Sequence, residues 1–128
     1  MSRANVEVIR TLFETYGRGD YHAAAACLAP GVAYEVGQEL PALGPDEVRA
    51  MWERWDGAWE EMETVPEEFL DAGEHVVVIV HYKARGRGSG IEYDERLYDV
   101  YTVRDGRCVR KLEFKQRSEA LAAAGLDP

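Results

Sequence analysis

The side chains best suited to chemistry in this chain gather on two strands and the run before them. The stretch Ile91–Gln116, IEYDERLYDVYTVRDGRCVRKLEFKQ, sets Asp99, Tyr101 and Arg110 among apolar residues, and the preceding apolar run ends in His81. A carboxylate, an imidazole and a guanidinium on an otherwise apolar face suit acid–base work, in which one group moves a proton and a neighbour holds the resulting charge. Whether they meet is a question of register. Asp105-Gly106 signals a two-residue hairpin turn, which needs φ > 0 at both central positions. Centring the turn there pairs Val103 with Cys108, Tyr101 with Arg110, Asp99 with Leu112 and Leu97 with Phe114. Centring the preceding hairpin on Gly88 pairs Val77 with Asp99, Ile79 with Leu97 and His81 with Glu95. Together these registers place His81, Glu95, Asp99, Tyr101, Arg110 and Leu112 on one half-apolar face. A one-residue slip of the first hairpin would separate His81 from Glu95.

The rest of the chain must supply a cover for that face. Val6, Ile9, Leu12, Phe13 and Tyr16 form a helical stripe after a cap at Ser2 or Asn5, and Gly17 and Gly19 end it. Asp20 caps a second helix, Tyr21 to about Leu28, which Pro30-Gly31 stops. Val32 to Val36, with Tyr34 expected toward the pocket, reads as a short strand, and 37–45 as a loop. A third helix from Pro45 or Asp46 to about Trp59 holds all three tryptophans, of which Trp52 and Trp55 are expected to wall the pocket. Glu61 to Leu70 reads as an edge strand with Pro66 at a tolerated place, and His75 to Arg85 as the strongest strand. A short helix over Ser118 to Ala124 closes the chain. The order predicts an α+β fold over 1–128 as a single domain: a cone-shaped, curved, mostly antiparallel sheet, α-α-β-α-β-β-β-β plus a short C-terminal helix, with three helices on its concave face. The opposite face, expected to show Val76, Val78 and Val80, then needs a second copy of the chain as cover.

Composition narrows the partners. A net charge of −9 over 128 residues argues against nucleic acid or an anionic membrane. No apolar run approaches the roughly 20 residues of a membrane span. The beginning of the sequence lacks the apolar core of a signal peptide, so a cytoplasmic location is expected. His22, His75 and His81 are scattered, Cys27 and Cys108 lack metal-ligand spacing, and neither G-x-G-x-x-G nor G-x-x-x-x-G-K-[ST] occurs. Neither a metal nor another cofactor is expected.

Three pieces carry a family resemblance: VIRTLFETYGRGDYHAAAACLAPGVAYE, the helix VRAMWERW, and LYDVYTVRDGRCVRKLEF with the closing R-S-E-A-L. They resemble the nuclear transport factor 2-like superfamily and, within it, the SnoaL-like and ketosteroid-isomerase-like proteins. The resemblance implies a cone of sheet and helices, commonly dimeric, around a pocket for a small hydrophobic molecule, serving isomerases, cyclases, dehydratases and hydrolases as well as non-catalytic domains. For the steroid isomerases it implies that Tyr16 and Asp99 hold positions of oxyanion hydrogen-bond donors. The proton-shuttling aspartate's position falls on Val36, with Glu35 beside it, so the base is missing. For the dehydratases it implies a histidine–carboxylate pair, which His81 with Glu95 or Asp99 would supply.

Overall fold

The computed structural model describes residues 3–37 and 39–128; the candidate cap Ser2 and the loop residue Gln38 lie outside them. The elements run α1 (Arg3–Gly17), α2 (Tyr21–Ala25), β1 (Leu28–Tyr34), β2 (Ala42–Leu43), α3 (Pro45–Gly57), β3 (Trp59–Ala72), β4 (His75–Gly86), β5 (Glu92–Arg104), β6 (Arg107–Phe114) and α4 (Arg117–Ala123). Local chemistry explains most of the boundaries. The Asp20 carboxylate accepts from the Ala23 amide at 3.1 Å and opens α2. Pro45 stands in the first turn of α3, where its missing N–H costs nothing. Asp105 (φ 51°) and Gly106 (φ 77°) make the β5–β6 turn, both in the left-handed region as the residue pair requires. Asn5 lies inside α1, and its side-chain amide donates to the Gly73 carbonyl at 3.0 Å.

The expected cone does not form. The six strands make an open sheet in the order β2-β1-β6-β5-β4-β3, with β2 and β3 at its two edges. β1 joins β6 in parallel, and the two-residue β2, inside the stretch expected to be loop, adds one short antiparallel rung to β1. No pairing between β2 and β3 closes the sheet among the described residues. Trp59 is not helical but begins β3, because α3 ends at Gly57.

Both hairpin registers differ by one residue from the sequence expectation. In the first, Ile91 joins the loop and strand pairing resumes at Arg85 with Glu92, so Val78 faces Asp99 and His81 faces Arg96. In the second, Val103 pairs with Cys108 as expected, but a β-bulge adds Val109 to β6, and Tyr101 then faces Lys111 and Asp99 faces Glu113. Relative to β5, the side chains of β4 and those of β6 beyond the bulge therefore change face.

The helix-covered face therefore carries Val76, Val78 and Val80 from β4, which pack with Ile9, Leu12 and Phe13 of α1, Ala24 of α2 and Met51 and Trp52 of α3. These valines do not form the outer face. On the outer face Val77 and Val100 pack against Ala120, Leu121 and Ala124 at α4, with Leu112 and Phe114 beside them. The helices thus lie on both faces, three on one and α4 on the other.

The face assignment is tested by paired substitutions. Val78→Asp places an unpaired carboxylate in a fully buried site and is expected to destabilise the chain by more than about 4 kcal/mol, or to prevent folding. His81→Ala, on the outer face with an exposed partner, is expected to stay within about 1 kcal/mol of the parent. Urea denaturation measures both.

Candidate functional site

A cavity of about 350 Å³ opens between the helices and the sheet. Its walls are Leu12, Phe13 and Tyr16 of α1, Met51, Trp52 and Trp55 of α3, and Tyr34, Tyr82, Ala84, Tyr93, Leu97 and Tyr101 of the sheet side. The rings brace one another: Trp52 meets Tyr16 at 5.4 Å and Tyr34 at 5.8 Å, and Phe13 meets Tyr101 at 5.8 Å. Edge-to-face pairs of this kind hold aromatic walls in fixed orientations. Trp55, 38% exposed, stands near the mouth against Trp59.

The floor is polar. Lys111 is 2% exposed, and its ammonium donates to the Glu35 carbonyl at 2.7 Å and to Glu113 Oε2 at 3.1 Å. It lies 4.9 Å from the Tyr34 ring centroid and 3.8 Å from Asp99 Oδ1. Burial alone would lower the Lys111 pKa, but Asp99, Tyr34 and Glu113 outweigh it and hold the ammonium above its ordinary range. Glu113 also accepts from the Gly37 amide at 3.0 Å, tying the floor to the loop after β1. Asp99 is fully buried beneath the lining; Tyr101 donates to its Oδ2 at 3.2 Å, while Oδ1 has no hydrogen-bond partner among the described residues. Burial, partly offset by Lys111, pushes the Asp99 carboxyl up to about 6. Burial holds the Tyr34 and Tyr101 phenols above their ordinary range.

Of the residues singled out from sequence, Tyr16, Tyr34, Trp52, Trp55 and Tyr101 line the cavity, and Asp99 lies directly behind Tyr101. The Tyr16 hydroxyl is committed elsewhere: it donates to Asp56 Oδ1 at 2.7 Å, and Tyr21 donates to the other oxygen of the same carboxylate. Tyr16 thus presents its ring to the cavity. His81, Arg110 and Leu112 are not there. The slipped first hairpin sends His81 to the outer face, where its ring pairs with Asp94 at 2.6 Å and lies 4.0 Å from Glu67. The bulge sends Arg110 and Leu112 to that face as well. Glu95 keeps the pocket-side face but stays outside the lining. Lys111, Glu113 and Tyr82 were missed; a β-bulge with no glycine to mark it left no sequence signal for the first two. Val36 does line the cavity, so the wall there is apolar.

A family model described as SnoaL-like domain matches residues 9–111. The chain belongs to the SnoaL-like domain family. No curated protein matches it. Among solved structures, this SnoaL-like domain is similar to an NTF2-like protein of unknown function from Burkholderia pseudomallei (25% identity, 95% of this chain and 97% of that one, TM-score 0.80). It is also similar to an NTF2-like protein from Burkholderia thailandensis (22%, 97% and 98%, TM-score 0.82). A putative SnoaL-like polyketide cyclase from a Jannaschia species aligns over 100% of this chain and 98% of its own at 20% identity, TM-score 0.79. The last two likenesses carry the fold and nothing finer. No described helix is long and apolar enough to cross a membrane.

The Asp99 carboxyl gives a signed pH dependence. Its folded pKa, about 6, lies above the ordinary 3.8, so the folded state binds the proton more tightly and stability falls as the pH rises between those values. The stability of the parent minus that of Asp99→Asn is therefore expected to fall by up to about 3 kcal/mol from about pH 4 to about pH 6 and to level off above. Denaturation curves across that range read it directly.

Proposed function

We propose that the cavity binds a small, mainly apolar organic molecule with its polar end on the floor, and that the chain acts on it without a cofactor. The chemistry would be proton transfer of the isomerisation, dehydration or hydrolysis kind. The observation that carries this reading is the Lys111 ammonium in the lining of an aromatic cavity, 4.9 Å from the Tyr34 ring centroid. Donors fixed in a water-poor site favour a carbonyl oxygen that gains negative charge. Glu113 is the carboxylate that reaches the lining beside them, and it is the group assigned here to take the proton. Asp99, reached only through Tyr101 and Lys111, acts as a positioning residue for both.

A second reading, a ligand carrier without turnover, is favoured by one detail: both Glu113 oxygens already accept hydrogen bonds, from Gly37 and Lys111. Self-association also belongs to the proposal, through the outer sheet face near Val65, which is 40% exposed on the edge strand β3. Sedimentation velocity is expected to show a dimer, and a monomer at all concentrations would remove that element.

The neutral ketone 2-tetralone separates the readings. It is expected to bind, to quench tryptophan fluorescence, and to exchange its α-protons for deuterium at least about tenfold faster with the protein than without. Ala84→Trp, which fills the cavity from β4, is expected to weaken binding at least about tenfold. Binding without faster exchange supports the carrier; no binding removes the proposal.

A further inference from the structure

The charges on the cavity floor do not balance. Lys111 brings one positive charge, and Glu113 at 3.1 Å and Asp99 at 3.8 Å bring two carboxylates. The other two charged residues of the lining, Glu39 and Arg54, pair with each other at 3.5 Å and stand largely exposed. Among the described residues no second cation faces Asp99. The groups around it are the Tyr101 hydroxyl from its own strand, Tyr82 from β4, Tyr34 from β1, and Lys111 and Glu113 from β6. The helices turn rings toward this cluster, with Phe13 and Tyr16 from α1 and Trp52 from α3.

A buried lysine at the end of an aromatic cavity is the usual mark of an anion site, but here the ammonium already has more negative charge around it than it carries. We infer that the cavity selects uncharged aromatic molecules with a hydroxyl or carbonyl oxygen and rejects carboxylates of the same shape. The inference rests on the reading of this cavity as a ligand site. A neutral ligand leaves the floor at one net negative charge. Proton transfer from that ligand to Glu113 keeps the sum unchanged, since the carboxylate is neutralised as the ligand oxygen gains charge. A bound carboxylate instead adds a second net negative charge in a site with little water to screen it.

The same geometry gives the selectivity a pH dependence. Asp99 takes up a proton near pH 6 because it is buried, whereas Lys111 stays charged. Below that pH the floor is balanced, with Lys111 against Glu113 alone, and the penalty on an anion shrinks.

Calorimetric titration of the full chain with 2-naphthol and 2-naphthoate, which share a ring system, tests this. At about pH 8 the naphthol is expected to bind at least about tenfold more tightly, the ratio that one pKa unit of charge interaction produces. At about pH 5, where most of the naphthoate remains ionised, the ratio is expected to fall several-fold. Glu113→Gln, which keeps a hydrogen-bond acceptor for Lys111 but removes a charge, is expected to produce the same fall at about pH 8; circular dichroism confirms its fold. Naphthoate binding as tightly as naphthol at about pH 8 overturns the inference and leaves the cavity reading standing. A preference that neither acid nor Glu113→Gln alters overturns it equally. If neither compound binds, the cavity reading fails and the inference with it.

Discussion

One buried ammonium holds the functional half of this molecule together. Lys111 reaches from β6 to the backbone of Glu35 just past β1, to Glu113 on its own strand and toward Asp99 on β5. Burying a lysine is unfavourable unless its charge is compensated and its protons are taken. The compensation here comes from two carboxylates and a carbonyl, and their positions fix how β1, β5 and β6 stand relative to one another. Removing one partner from such a group leaves the others uncompensated, so the cluster behaves as a unit rather than as separable pairs. The aromatic rings are then arranged above a floor that cannot shift without exposing that charge.

The elements were legible because their signals are local. The α1 stripe, the Asp20 cap, Pro45 at the start of α3 and the Asp105-Gly106 turn each read correctly from a few neighbouring residues. What failed was the non-local arithmetic of which residue faces which. One residue more in the β4–β5 loop moved His81 to the outer face, and one extra residue at Val109 exchanged Arg110 for Lys111 on the inner one. A strand has a side-chain period of two, so an error of one inverts a face completely. The bulge at Val109 is marked by neither glycine nor proline, and the glycines around the β4–β5 loop, Gly86, Gly88 and Gly90, allow more than one register. The aromatic walls were easier to read, since Trp52, Tyr34 and Tyr101 sit among apolar neighbours on elements whose inward faces are clear.

The open sheet follows from the same economy. A parallel β1–β6 pair and a two-residue β2 leave the far edge to β3, a long strand interrupted by an irregularity between Pro66 and Glu68. Irregular edges with proline and charged side chains resist edge-to-edge association, and Glu67 and Glu68 sit at that interruption.

The pairing of β1 with β6 also has a consequence for the order of events in folding. β3, β4, β5 and β6 are joined by hairpins and can zip in sequence, each over a short connection. The contact between Lys111 and Glu35 spans 76 residues of chain. Contacts that close so long a loop repay their entropy only after the local pairings stand. The polar floor is therefore completed late, when β1 docks on a sheet already built. A molecule held there would act mainly on the lifetime of the finished fold and little on the speed at which it forms.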